Sequence, residues 1–164
     1  MRPANLDLAD TDMPFGEIEK FFNKNKNLME RYIEIQNQYS FGDPSTVAYC
    51  MVHYCGSDKK WAEKVIGNSE MGDPSLTAYW MVKDCRSDRS WAENIIEHAE
   101  IGDPAFAAYW MVQYCGSDRK WAEEIIEQVE IGDPVDAVRL MVLWAGSSQE
   151  WADKVIKSWE SRNA

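Results

Sequence analysis

Apolar positions along the chain follow two spacings that alternate, and the alternation predicts a run of paired helices. In one kind of segment, represented by Trp61, Ala62, Val65 and Ile66, apolar residues fall at i, i+1, i+4 and i+5, one stripe of an α-helix, while Lys60, Glu63 and Lys64 form a charged opposite face. The other kind has Ala48, Met51, Val52 and Cys55 as its inward stripe but carries Tyr49, Cys50 and Tyr54 on its remaining sides. A helix that is apolar almost all round is either deeply buried or offers an apolar surface to something else.

Turn chemistry separates the two kinds. Asp43, Asp73, Asp103 and Asp133 stand where an N-cap belongs, each followed by a proline (Pro44, Pro74, Pro104, Pro134) at the first helical position. Gly56, Gly116 and Gly146 suit the left-handed residue that ends a helix, and Arg86 takes that place in one copy. Ser57, Ser87, Ser117 and Ser147, followed by Asp58, Asp88 and Asp118, are expected to cap the second helix.

The whole pattern recurs every 30 residues without insertion or deletion, over 43–72, 73–102, 103–132 and 133–162. A fixed period of this length is the mark of stacked repeats. From Met13 a divergent copy, 13–42, is legible, with Pro14 one period before Pro44 and helices expected over Phe15–Phe22 and Leu28–Phe41. The expected fold is therefore all-α: a right-handed α-solenoid of about five two-helix repeats, roughly 50 Å long at about 10 Å per repeat. Residues 1–12 read as a flexible leader, and 13–164 as a single helical-repeat domain.

Short two-helix repeats opening on Gly-Asp-Pro resemble the short HEAT-like repeats of the phycobilisome-lyase type. The fourth copy, GDPVDAVRLMVLWAG, carries the resemblance best, with Asp133, Pro134, Val138, Arg139 and Gly146 at the family's positions. It covers roughly 43–162 and departs where Tyr49, Tyr79 and Tyr109 replace the arginine and where Trp61, Trp91, Trp121 and Trp151 recur. The resemblance implies a scaffold or protein-binding surface and supplies no active-site residue.

The net charge is −11, with five basic against seven acidic residues before Asp43 and 12 against 21 from there on. Such a chain repels phosphate backbones, which argues against direct nucleic-acid binding. The charge suits a basic protein partner, or serves solubility alone. No apolar run approaches the roughly 20 residues that span a bilayer, and the N-terminus lacks an apolar signal core, so no membrane contact and a cytoplasmic location are expected.

Little in the chain points to catalysis, a metal or a cofactor. Cys55, Cys85 and Cys115 hold one place in successive copies, but stacked helices about 8–10 Å apart keep such residues too distant for a disulfide or a shared metal. Small core residues in a reducing compartment are expected instead. His53 and His98 fall in different copies and lack a nucleophile or carboxylate at matched spacing. Glu70, Glu100, Glu130 and Glu160 recur at the expected end of each second helix, where a hydrogen bond to the next repeat's opening, or a ladder of cation sites, would offset the unfavourable dipole.

Variation between copies carries the functional reading, because packing positions repeat while binding positions are free to differ. In the first helices the varying sets are Thr46/Leu76/Phe106/Asp136, Cys50/Trp80/Trp110/Leu140, His53/Lys83/Gln113/Leu143 and Tyr54/Asp84/Tyr114/Trp144, which share one helix face. Stacking would join them into an aromatic surface of the kind that holds protein hot spots. A non-enzymatic protein- or peptide-binding module is expected, with Tyr54, Trp80, Phe106, Trp110, Tyr114 and Trp144 as anchors, Gln113 and Leu143 beside them, and Lys83, Asp84 and Arg86 as selectors. Trp80 and Trp110 would otherwise only fill gaps between repeats. The alternative is an acidic inhibitor, an immunity protein or nucleic-acid mimic, blocking a basic site. The same surface also fits a homo-oligomer.

Overall fold

The computed structural model describes residues 26, 27, 30 and 43–163. The described residues form eight helices and no strand: α1 (Pro44–Cys55), α2 (Lys59–Gly67), α3 (Pro74–Cys85), α4 (Arg89–Glu97), α5 (Pro104–Cys115), α6 (Arg119–Gln128), α7 (Val135–Trp144) and α8 (Gln149–Arg162). The leader and nearly all of the divergent copy, including the helices expected over 15–22 and 28–41, lie outside the described residues. Each first helix packs on its own second helix and on the first helix of the next pair, so that α1, α3, α5 and α7 form one continuous layer, and α2 and α4 also touch the first helix that follows them.

The core is small and regular. Met51, Met81, Met111 and Met141 are wholly buried at the centre of successive first helices; Met81 clusters with Met51 and Ala62, and Met111 and Met141 share a second cluster with Ala92, Ala122 and Ala152 of the second helices. Alanine allows close approach, and the unbranched methionine fills the space that remains.

The expected caps form in the first three pairs. Asp43 accepts from the N–H groups of Ser45 and Thr46, Asp73 from Leu76 and Asp103 from Phe106. In the fourth pair α7 starts one residue later, at Val135, and Asp133 accepts from the Val135 N–H at 2.9 Å. The second helices are capped by Asp58, Asp88, Asp118 and Ser148 rather than by the serines before them. Those serines belong to the preceding turn. The N–H groups of Ser57, Ser87, Ser117 and Ser147 reach back to the carbonyls of Met51, Met81, Met111 and Met141 at 3.0–3.1 Å, closing a seven-residue helix stop.

That stop is where one repeat grips the next. Arg89 donates to the Gly116 carbonyl at 2.6 Å and Arg119 to that of Gly146 at 2.7 Å, while Ser117 and Ser147 donate to Glu93 and Glu123 at 2.7 and 2.6 Å. A basic residue and a glutamate one helical turn apart thus hold both groups of the following turn. Lys26 and Glu30 do the same to Gly56 and Ser57, at 3.0 and 2.8 Å. In the first clear repeat the clamp is half made. Lys59 donates to the Arg86 carbonyl at 2.7 Å, but Lys60 draws Glu63 away, and Glu63 Oε1 and Ser87 Oγ are buried without a partner.

A second link runs through the helix openings. The Asp73 carboxylate caps its own helix and also accepts from the Asp103 N–H at 2.9 Å. Gly102 (φ 87°) lies so close that a Cβ there would collide with Asp73, and Gly72 (φ 75°) lies as close to Asp43. Between the second and third clear repeats, the inter-repeat bond expected of the recurrent glutamates is made by Asp73 instead. Glu70, Glu100 and Glu130 lie exposed in the connectors, past the helix ends, and Glu160 is exposed within α8.

Burial, then the charges of Asp73 and Asp133, raise the Asp103 pKa. A carboxyl raised by folding contributes a penalty above its folded pKa that vanishes as pH falls below its unfolded value. Asp103→Asn keeps the cap and removes the charge, so it should unfold at higher temperature than the parent at pH 7, the advantage fading toward pH 3, whereas Asp103→Ala should lose about 1 kcal/mol. Thermal melts across pH check both signs.

Arg86 holds φ 57°, the left-handed conformation that its counterparts fill with glycine. Arg86→Gly should stabilise the chain by about 1 kcal/mol in chemical denaturation, with an unchanged circular dichroism spectrum.

Candidate protein-binding surface

The varying first-helix positions share the outer side of the helix layer. Lys83, Asp84, Arg86, Gln113, Tyr114, Leu143 and Trp144 are exposed, and Tyr54, Trp80, Phe106 and Trp110 are half-buried. Tyr114, Leu143 and Trp144, exposed by 60, 69 and 68%, are the large hydrophobic side chains most open to solvent among the described residues. Tyr114 and Trp144 hold the same place on α5 and α7, which pack together, so the exposed group is concentrated on the last two repeats.

The tryptophans expected as anchors mostly serve the seam between repeats. Trp80 packs on Tyr49 of the preceding first helix, ring centroids 5.6 Å apart, and Trp110 packs on Tyr79 at 5.2 Å and on Phe106 at 5.9 Å. Tyr79 and Tyr109 are buried, 3 and 5% exposed, although the helix pattern places them among the surface aromatics. The tyrosine of one repeat and the tryptophan of the next, 31 positions on, form a recurring inter-repeat wedge. In the fourth copy Arg139 replaces the tyrosine, Leu140 the tryptophan and Asp136 the phenylalanine, and Arg139 pairs with Asp136 at 3.2 Å. This side of α7 is therefore polar where the earlier first helices are aromatic.

Two of the three expected selectors are engaged within the chain. The Tyr49 hydroxyl donates to Asp84 at 2.8 Å, and burial together with this bond raises the phenol's pKa. Lys83 lies over the rings of Tyr79 and Tyr114, 5.5 and 5.3 Å from their centroids, and the bond to Tyr79 raises the ammonium's pKa. At this exposure each such cation–π contact contributes about 0.5–1 kcal/mol. Arg86 remains as the selector whose side chain points to solvent; its backbone carbonyl is the one gripped by Lys59.

The structure also accounts for most of the acidity. The eight helices carry 11 acidic and 11 basic residues, while the connectors from Asp43 on carry ten acids against Arg86 alone. Seven of the ten are the aspartates at the helix openings, whose carboxylates face backbone N–H groups. The first helices bear only Lys83, Asp84, Asp136 and Arg139, which balance. Among the described residues the outer face thus carries the exposed large hydrophobic side chains and few charges.

The chemical groups are dispersed. All four cysteines are half-buried and outside any disulfide, and among the described residues no group of His, Cys, Asp and Glu is placed to share a metal ion. Burial pushes the Cys50 and Cys85 thiols up to about 11 and raises that of Cys115. His53 stacks on Tyr49 at 5.5 Å, and His98 Nδ1 meets the Asn94 carbonyl at 2.9 Å. A shallow hollow of about 390 Å³ lies between the ends of α4 and α6, walled by Ile96, Ile125, Val129 and Ile131 with Glu97, Glu100 and Glu130. Among the described residues no helix is long and apolar enough to cross a membrane.

Comparison with protein-family models, with curated proteins and with solved structures returns no match. The functional reading therefore rests on the geometry of this chain.

The raised thiol pKa values predict slow modification. At pH 8 the folded protein should react with a disulfide reagent roughly 100-fold more slowly at Cys50 and Cys85 than the denatured chain does. Equal rates would contradict the burial of these side chains.

Proposed function

We propose that the chain is a non-enzymatic protein-binding module, a right-handed α-solenoid of about five short HEAT-like repeats that offers the outer face of its first helices to a protein or peptide. The observation that carries this reading is the exposure of Tyr114, Leu143 and Trp144 together on one helix layer. Apolar side chains of this size, contiguous and set in a polar surround, mark interaction sites. Arg86 supports the reading from a second side, since a strained left-handed residue retained where its counterparts use glycine is a feature that function accounts for better than folding does. In this account Tyr114, Leu143 and Trp144 anchor the partner, Gln113 and Arg86 select it, and Trp80, Trp110 and Phe106 form the floor on which the anchors stand. Half-buried cysteines outside any disulfide fit a reducing compartment such as the cytoplasm.

The competing reading, an acidic inhibitor of a basic site, draws on the net charge of −11. Most of the excess lies in helix caps that already serve backbone groups, which leaves the first-helix face the stronger candidate.

A lysate pull-down of the parent beside Tyr114→Asp/Trp144→Asp separates the two. The binding-module reading expects a partner that survives about 0.5 M salt on the parent and is lost from the folded variant. A partner held equally by both proteins and released by salt would overturn it in favour of the acidic inhibitor.

A further inference from the structure

We infer that the partner received by this face is basic, and that one of its arginine or lysine side chains lies over Trp144, at the seam between α5 and α7. The inference rests on the reading of this face as a binding surface and names the chemistry of its partner.

The three seams between first helices repeat one set of positions: a tyrosine, the residue one turn after it, and a residue 35 places beyond the tyrosine on the next first helix. In the first seam these are Tyr49, His53 and Asp84. His53 stacks on Tyr49 at 5.5 Å, and the Tyr49 hydroxyl donates to Asp84 at 2.8 Å. In the second they are Tyr79, Lys83 and Tyr114, and the Lys83 ammonium lies over both rings, 5.5 and 5.3 Å from their centroids. In the third they are Tyr109, Gln113 and Trp144. Gln113 has no charge to place over a ring, and Trp144 is exposed by 68%. Among the described residues neither side chain has a hydrogen bond, ion pair or ring contact.

The third seam thus carries the residues of the second without its cation. The substitutions favour a cation from outside. Tryptophan offers the most favourable ring face to an ammonium or guanidinium, and exposed Gln113 has a side-chain carbonyl that can accept from its N–H groups. Exposed Leu143 and half-buried Leu140, next to Trp144 on α7, suit the apolar stem of such a side chain.

Charge selects the same partner. A chain of −11 draws a basic segment and repels an acidic one. The one base on α7, Arg139, is paired with Asp136 at 3.2 Å, so no cation of the chain's own is committed to Trp144.

NMR of the isotope-labelled full chain, following the Trp144 indole N–H and the Gln113 side-chain amide, tests the inference. The probes are the peptide acetyl-Leu-Arg-Leu-Arg-amide and its counterpart with citrulline, a neutral isostere, in place of arginine. The arginine peptide should move the Trp144 signal to saturation at millimolar concentration, in about 0.5 M salt as well as in low salt, and bind at least about 5-fold more tightly than the citrulline peptide. Trp144→Leu, which keeps the charge and an apolar side chain, should abolish that preference as read at Gln113. Gln113→Lys gives the third seam the second seam's cation and should weaken the arginine peptide at least about 5-fold. Gln128→Lys, the same change of charge at the end of α6, should not. A Trp144 signal that the arginine peptide leaves in place, or moves no more readily than the citrulline peptide does, overturns the inference, as does binding that Trp144→Leu and Gln113→Lys both leave unchanged. If the preference for arginine fails while lysate capture still depends on Trp144, the basic partner is wrong and the binding-module reading stands. If capture is also independent of that residue, both fail.

Discussion

The structure depends on the register between one repeat and the next. A period of 30 residues without a slip places the turn that ends each first helix against the basic residue and glutamate of the preceding second helix. The grip is specific because it holds one carbonyl and one hydroxyl that a single helix stop presents together. A slip of one residue would lose both bonds, bury a glutamate without a partner and separate the tyrosine–tryptophan wedge on the other side of the helix. Charge-assisted bonds of this kind contribute about 1.5–3 kcal/mol each. Together with the wholly buried methionines and alanines, they join two short helices that would not be stable alone.

The same register explains the uneven charge. Every repeat restarts two helices, and most restarts place an aspartate at an N-terminus. An array built this way becomes acidic through its caps, while its helices remain neutral overall. What is left for recognition is the outer side of the first helices, where the copies differ. Toward α1 and α3 that side is tied down by Tyr49 with Asp84 and by Lys83 with Tyr79; toward α5 and α7 it opens into Tyr114, whose ring Lys83 also covers, and into exposed Leu143 and Trp144.

Much of the fold could be read along the chain because its signals are local: Asp-Pro starts, glycine stops and a helical stripe each act within one turn. The contacts between repeats could not, because they join residues 24, 27 or 30 positions apart that have no pattern until the helices are stacked. A trace of them was present. Lys59, Arg89 and Arg119 recur one turn before Glu63, Glu93 and Glu123, and both positions change in the last copy, to Gln149 and Asp153. A pair that recurs and then changes together marks an inter-repeat contact. The tyrosines at 49, 79 and 109 were harder to place, because an aromatic residue on the far side of an apolar helix reads alike whether it fills a seam or faces solvent. Copy-to-copy variation did point to the outer face, but it grouped the seam-filling Trp80 and Trp110 with the exposed Trp144.

The central claim, that a clamp between a second helix and the next helix stop sets the register, is tested most directly by a double-mutant cycle on Glu93 and Ser117, whose side chains meet at 2.7 Å. Unfolding free energies of Glu93→Ala, Ser117→Ala and the double variant should give a coupling of about 1–2 kcal/mol. Strict additivity of the two substitutions would contradict the account.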